Sequence, residues 1–412
     1  MTHPLRGRDF RLLFAARVLS LTGDAAVPAA LALAVLRATG STSALALVLG
    51  CAMVPRLLLL PLGGVLADRL NARGVALTTD LAGAAAQLFA ALELLSGEPR
   101  LWHLAAAQVI GGAASAFQTP TVSPLIAGTV EPSGLQKANS LMGVANGATR
   151  LAGPALAGTF VLTIGPGWTF LLDSASFAAS AAILALARVR HVPIPRRSLR
   201  ADLAEGWSEV RSRDWYWTSL IAHGVWNGTS AVLLTLGPAL AVDRLGGEGV
   251  WIATVQVGAA GLVAGALLAA RVRPRRPVLV ANVGLAALAL PLALFAVAAP
   301  APLLVAAYGL ALTGLGVLNP TWETVVQMTI PPQALARVTS YDWLLSLAAA
   351  PLGYALAPWA ASVWGPSVPL WTAAVLVGAA CLGTAAVPGV RRLTMPEAAP
   401  DAALASPQPQ AR

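Results

Sequence analysis

PTVSPLIAGTVEPSGLQKANS (residues 120–140) aligns without a gap to PTWETVVQMTIPPQALARVTS (residues 320–340). Six of the 21 positions are identical: Pro120/Pro320, Thr121/Thr321, Thr129/Thr329, Pro132/Pro332, Leu135/Leu335 and Ser140/Ser340. Lys137 and Arg337 also match in charge. Each copy reads as the end of an apolar helix, a short polar turn with Pro, and the start of the next apolar helix. The same helix–turn–helix lying 200 residues apart implies a chain built by duplication. In membrane chains, parallel repeats of this kind place a site near the bilayer midplane, between two bundles that rock against each other. The function class this implies is solute transport.

Composition agrees with a membrane solvent. The hydrophobic share is 57% and charged residues make up 11%, against roughly 25% charged in soluble domains. Mean hydropathy is +0.71. Apolar runs of roughly 20 residues recur along the chain, the length a spanning helix needs. Cys51 and Cys381 both sit in apolar segments, so neither a disulfide framework nor a thiolate metal site is expected. The first apolar segment is too long for a cleavable signal, lacks a small-residue cleavage site, and runs straight into another. One Lys against 26 Arg, with abundant Ala, reads as the product of a GC-rich bacterial genome.

Apolar periodicity and breaker residues divide the chain into twelve spans: 11–36, 43–67, 75–95, 102–127, 138–163, 168–188, 216–241, 249–270, 278–298, 302–329, 339–363 and 367–387. The expected architecture is an all-α membrane protein with two pseudo-symmetric six-helix bundles. Residues 1–188 form the first bundle, 189–214 a cytoplasmic linker, 215–390 the second bundle and 391–412 a disordered tail rich in Pro and Ala. Within the linker, Leu203, Trp207 and Val210 recur at helical intervals, which predicts an amphipathic helix over 199–213 lying along the membrane.

The 27 basic residues fix an orientation. With the N-terminus cytoplasmic, twenty fall inside, among them Arg69, Arg73, Lys137, Arg188, Arg213, Arg271 and Arg337, and only Arg37, Arg100 and Arg244 fall outside. That bias supports an even number of spans with both termini cytoplasmic, in a bacterial inner membrane. The net charge of +9 is spread over alternate loops, without the contiguous patch that nucleic acid requires.

Arg17, Arg56 and Arg150 lie inside spans, as do the carboxylates Asp24, Asp173 and Glu323. An ionisable group at membrane depth costs about 2.5 kcal/mol or more, so it is expected to face a cavity or a partner. Arg17 and Asp24 are seven residues apart, nearly two turns, and share one helix side. For Asp24 with Arg56 or Arg150, a proton or cation relay in the transport cavity competes with a buried structural pair locking helices together. Arg17 and Asp173 lie nearer the membrane faces, where snorkelling is cheap, and a structural reading leads for both. Glu323 stands even between the two. His223 titrates near neutral pH when free, but a lone His in an apolar helix is more often a packing residue. Trp226 and Asn227 offer stacking and hydrogen bonding to a ligand, and Asn146 and Gln118 add polar groups to the candidate cavity.

GGVLADRLNAR (residues 63–73) ends the second span with small residues and then charge. It resembles the cytoplasmic loop signature of the major facilitator superfamily, G-x-x-x-D-R-x-G-R-R, at Gly64, Asp68, Arg69 and Arg73; Asn71 and Ala72 depart from it. The resemblance implies that Asp68 and the loop cations latch the inward gate, and Asp342 is a candidate partner for Arg69 or Arg73. The corresponding stretch 265–277 keeps small residues and cations but lacks the Asp. GATRLAGPALAG (residues 147–158) resembles the superfamily's antiporter signature at Gly153, Pro154 and Gly158, where a bend seals the fifth span against the eighth; simple close packing with a kink is the alternative. FRLLFAARVLSLTGD, LQKANSL, FLLDSASF and VVQMTIPPQALARVTSYDWLLS resemble a bacterial branch that includes macrolide and siderophore exporters. The resemblance covers about residues 8–390. It implies export of amphipathic small molecules by proton antiport, with the fourth span lacking the Arg that many proton-coupled drug exporters carry there.

Walker, HExxH, GxSxG and Cys/His-cluster patterns are not present in the sequence. The expectation is therefore a non-enzymatic transporter, monomeric, without cofactor or metal. Its partners would be the lipid bilayer, protons and an amphipathic substrate, and not nucleic acid. A uniporter or importer of a small metabolite is the rival within transport. A membrane-embedded enzyme or sensor is the rival outside it.

Overall fold

The structure is a computed structural model that describes residues 4–69, 71–131, 135–189, 206–271, 274–330 and 332–394. Helices α1 (Arg8–Thr39), α2 (Thr42–Arg69), α3 (Ala72–Leu95), α4 (Leu101–Thr129), α5 (Leu135–Thr163) and α6 (Pro166–Leu186) make the first half. The second half contains α7 (Asp214–Arg244), α8 (Glu248–Arg271), α9 (Pro277–Leu285), α10 (Ala289–Ala296), α11 (Ala301–Thr329), α12 (Pro332–Leu347), α13 (Ala350–Trp364), α14 (Ser367–Gly383) and the short α15 (Pro388–Arg392). No strand occurs among the described residues. A 3-10 turn over Ala286–Leu288 joins α9 to α10, so the ninth span is one helix with a tightened middle. The eleventh span is likewise divided, between Leu347 and Ala350.

Among the described residues ten helices are long and apolar enough to cross a membrane. The remaining two long helices, α4 and α5, have 29 residues each, so twelve spans are compatible with the fold. Helices α1–α6 pack chiefly on one another and α7–α14 do the same; the two sets meet mainly along α2 with α13 and α5 with α8.

The repeated segment has one geometry in both places. α4 and α11 are 29 residues long and end at Thr129 and Thr329. The next residues, Val130 and Ile330, are both extended, and their N–H groups return to Ile126 O at 3.2 Å and Val326 O at 2.9 Å. The threonines themselves donate back to Leu125 O (3.1 Å) and Val325 O (2.7 Å). These are i→i−4 back-bonds of a hydroxyl to its own helix, made alike in both copies. Gly165 and Gly365, also 200 residues apart, hold φ of 101° and 78° with ψ of 160°, a backbone that only Gly adopts freely.

Small residues bring the helix axes together. A Cβ at Gly112 of α4 would lie 2.0 Å from Ala52 O of α2, and one at Gly261 of α8 would lie 2.1 Å from Gly309 O of α11. With no hydrophobic drive between helices in lipid, such backbone proximity is the packing term available.

Only part of the linker is described. Residues 190–205 lie outside the described residues, including most of the expected 199–213 helix; residues 206–211 are helical. That turn packs on protein: Val210 is fully buried and Trp207 meets Tyr341 of α12 with ring centroids 5.6 Å apart. Arg213 pairs with Glu209 at 2.6 Å and donates to Thr329 O at 3.4 Å, capping α11. At the other end the helical chain reaches Arg392, beyond the expected bundle limit of 390; residues 395–412 lie outside the described residues.

Candidate functional site: a polar cavity shared by both halves

A cavity of about 420 Å³ lies between the two halves. Asp24 (α1), Arg56 (α2), Thr79 and Gln87 (α3), and Gln108, Ser115 and Gln118 (α4) supply its polar wall. The second half contributes Leu234 (α7), Trp251 and Val255 (α8), Tyr308 (α11) and Tyr354 (α13). One side therefore carries charge and amides, and the other carries aromatic faces.

Asp24 is held beside a helix crossing too tight for any side chain. On α5, a Cβ at Gly153 would lie 2.3 Å from Ala25 Cβ and 2.5 Å from Ala25 C. The α1 backbone next to Asp24 is thus clamped against α5, and the carboxylate turns into the cavity. It forms no ion pair within 4.0 Å among the described residues. Its electrostatic neighbours are Arg17, Asp80, Arg56 and Asp173.

Asp80 is a member of this group that the sequence reading did not single out. It is 1% exposed, and both carboxylate oxygens are occupied: Gln118 Nε2 donates to Oδ1 at 2.7 Å and Ser180 Oγ donates to Oδ2 at 2.6 Å. Arg17 acts on both Asp80 and Asp24. The available signal was the one used for Asp24, a carboxylate inside an apolar span. Trp251, Tyr308 and Tyr354 carried no such signal, because an aromatic residue in an apolar helix does not reveal which face it serves.

Two expectations are corrected here. Arg17 and Asp173 were expected to snorkel toward the membrane faces, but Arg17 is 8% exposed and Asp173 fully buried within the helix packing. Close packing of α1 on α6 explains it: a Cβ at Gly23 would lie 2.2 Å from Asp173 Oδ1.

The other predicted residues separate. His223 is buried, with Nε2 3.3 Å from Asn282 Oδ1 and its ring 4.7 Å from that of Trp322, so it is a packing residue. Asn227 donates to His223 O of its own helix at 3.0 Å. Trp226 is buried, its Nε1 without a partner among the described residues, and it does not line the cavity. Asn146 and Glu323 are exposed and do not line the cavity.

Of the gating residues, Arg73 and Asp342 are not brought together. Arg73 donates to Leu184 O at 3.2 Å and to Ala185 O, capping α6 within its own half. Asp342 Oδ2 accepts from Tyr216 Oη (2.9 Å) and Trp322 Nε1 (2.5 Å), and Oδ1 from Ser346 Oγ (3.3 Å). Tyr216 stacks on Trp322 with centroids 5.1 Å apart and an interplanar angle of 19°, so the carboxylate sits in an aromatic nest. The side chains of Gly64, Asp68, Arg69, Arg150, Pro154 and Arg337 lie outside the described residues. The backbone of α5 nevertheless continues through position 154. Gly158 meets α8 across the two halves, where an added Cβ would lie 2.6 Å from Ile252 Cγ2. Arg37 closes the same face, bonding Glu248 across the halves and donating to Val161 O at 3.2 Å.

Two helical halves around a shared polar cavity define a multi-pass membrane transporter. The Major Facilitator Superfamily pattern matches residues 13–349, and the chain belongs to that family. An uncharacterized MFS-type transporter, YvqJ of Bacillus subtilis (strain 168), is 27% identical over 166 residues. That stretch is 40% of this chain and spans only 39% of the relative. Among solved structures, the peptide transporter POT superposes with a TM-score of 0.75 at 14% identity, covering 94% of this chain and 96% of that one. The nucleoside transporter NupG gives 0.73 at 12% identity, covering 92% and 99%. At such identities the likeness is one of fold.

Proposed function

We propose that the protein exports amphipathic small molecules from a bacterial cell by proton antiport, working by alternating access between its two halves. The observation that carries this reading is Asp24: a carboxylate without an ion-pair partner among the described residues, opening onto a cavity that both halves line. A proton taken up by Asp24 removes a charge from the wall, and release of that proton restores it. Substrate and proton thus compete for one electrostatic environment. Arg17 and Arg56 are electrostatic neighbours of the same carboxylate. Trp251, Tyr308 and Tyr354 give broad apolar contact with few fixed hydrogen bonds, which suits substrates of varied shape.

Alternating access needs contacts that part when the halves rock. Arg37 with Glu248 and Gly158 with Ile252 are such contacts, on the face that the distribution of basic residues makes external. The chain is then oriented with both termini cytoplasmic and acts as a monomer in the inner membrane.

Uptake of a polar metabolite is the second reading, favoured by Gln87, Gln108 and Gln118 in the wall. Everted vesicles separate the two. Under the export reading, a pH gradient drives uncoupler-sensitive accumulation of a fluorescent amphipathic dye, and Asp24→Asn abolishes it. Unchanged accumulation by the Asp24→Asn protein would remove Asp24 from the mechanism.

A further inference from the structure

The two halves are tied off alike at the end where α1 and α7 begin. In the first half Asp9 Oδ1 of α1 accepts from Arg188 N, just past α6, at 3.0 Å. In the second Asp214 Oδ2 of α7 accepts from Gly389 N, just past α14, at 3.1 Å. Each corner also holds arginine at the start of the neighbouring span: Arg73 in α3, and Arg275 and Arg276 directly before α9. The two corners use that charge differently. Arg73 donates to Leu184 O at 3.2 Å and to Ala185 O, so it is consumed on the open end of α6. α14 continues instead into a 3-10 turn over Thr384–Ala386, and Thr384 Oγ1 donates back to Cys381 O at 2.7 Å. Arg391 of α15 donates to Ala386 O at 3.2 Å. The side chains of Arg275, Arg276 and Arg392 have no acceptor among the described residues, and no described carboxylate pairs with any of the four. Asp214, the carboxylate of this corner, already accepts from Gly389 N and Trp215 N.

The second corner therefore gathers four exposed guanidiniums with little to bind them. α15 packs on both α9 and α7. The apolar spans Pro277–Ala296 and Ser367–Ala386 begin and end at this corner, which sets the four charges at headgroup depth. Deeper in the membrane the span formed by α9 and α10 packs on α14, and both present apolar side chains outward. Val280, Val283 and Leu290 share one helix face and are 45%, 43% and 46% exposed, and Leu382 of α14 is 52% exposed. Next to Leu382, Gly383 is exposed, and a Cβ there would meet nothing within 4 Å, so the surface is shallow rather than filled. Arginine takes phosphate through two parallel N–H groups, and basic clusters beside a span select anionic lipid. A soluble phosphate would use only the charges. A phospholipid uses the charges and the apolar surface beneath them.

We propose that the corner of α9, α14 and α15 binds an anionic glycerophospholipid, with its phosphate on Arg275, Arg276, Arg391 and Arg392 and its chains along Val280, Val283 and Leu382. The bound lipid ties α15 to the start of α9. Through Asp214 it also steadies the start of α7, whose Leu234 lines the cavity. The first half has no matching site, because Arg73 is already engaged by α6. The proposal holds whatever the cargo and the direction of transport.

The test is lipid retention by the full-length protein in an uncharged detergent. Equimolar palmitoyloleoyl phosphatidylglycerol and phosphatidylcholine are added, and the lipid retained is counted by native mass spectrometry. The anionic lipid should be retained about tenfold or more over the zwitterionic one. Arg276→Gln and Arg392→Gln should each weaken its retention by roughly fivefold, and a variant with all four arginines changed to Gln should lose the preference. Arg11→Gln, at an exposed cation of α1 in the other half, should keep it. A wild type without preference, or a fourfold variant that keeps the wild-type preference, overturns the proposal. So does displacement of the lipid by inorganic phosphate at equal concentration, which would assign the patch to a soluble anion. A chain ending at Thr394 that shows a preference the full chain lacks would assign the patch to the tail carboxylates Glu397 and Asp401, and would overturn it as well.

Discussion

Gly153→Ala tests the helix crossing that sets Asp24 in place. The added Cβ would stand 2.3 Å from Ala25 Cβ, 2.5 Å from Ala25 C and 2.7 Å from Ala25 O. Carbon atoms rest about 3.5–4.0 Å apart, so the α1–α5 separation must grow by roughly 1.2 Å or more. Two of the three opposing atoms are backbone and have no rotamer to yield. Overpacking of this kind costs about 1–3 kcal/mol, which lowers the folded-to-unfolded ratio by roughly 5- to 150-fold. The displacement falls on the residue after Asp24, so transport should suffer beyond the loss of stability. Gly147→Ala on the same helix is the control, since a Cβ there meets nothing within 4 Å. That change should be neutral or stabilising by about 0.5–1 kcal/mol, because Ala is the better helix former. Scanning fluorimetry gives the stability difference, and uncoupler-sensitive dye efflux in vesicles gives the transport difference. If Gly153→Ala matches Gly147→Ala in both assays, the clamp on α1 does not set the site.

Three further outcomes follow from the same geometry. Glu248→Gln removes the charge pairing with Arg37, which lies partly exposed and is worth about 0.2–1 kcal/mol. Spin-label distances between α1 and α8 should shift toward the separated form by no more than about fivefold in population, and an unchanged distribution rejects the latch. Tyr216→Phe removes one of two donors to Asp342 Oδ2, which should cost about 1.5–3 kcal/mol without altering the pH profile of efflux. A thermal midpoint equal to wild type would count against a role for that nest in stability. Arg17→Gln and Asp80→Asn should each lower the yield of folded protein, while the double variant recovers part of it, with a coupling of about 0.5–3 kcal/mol. Strict additivity in fluorescence-detected size exclusion would mean that the two residues do not share one network.

Much of the fold was legible in the sequence for a physical reason. In lipid the backbone must satisfy its own hydrogen bonds, so apolar length alone specifies helices. The 120–140 and 320–340 copies marked equivalent junctions, and the structure ends α4 and α11 at equivalent threonines. Asp24, Arg56 and Gln118 could be found as polar groups within apolar spans, and the structure brings all three to one cavity. Asp80 carried the same signal and was passed over. Snorkelling was misjudged for Arg17 and Asp173 because position along a span does not say whether a side chain faces lipid or protein. Gly23 lets α6 approach α1 directly and encloses Asp173.

What the sequence alone determined is the number of apolar segments compatible with the fold, their repeat and the residues that lipid would reject, because each depends only on local composition and spacing. What only the tertiary structure decided is the partnership: Arg73 with the end of α6, Asp342 with Tyr216 and Trp322, and Asp80 with Gln118 and Ser180. Those pairings depend on which helix faces meet. That choice is made by glycine contacts between residues distant in sequence, whose registration no single segment encodes.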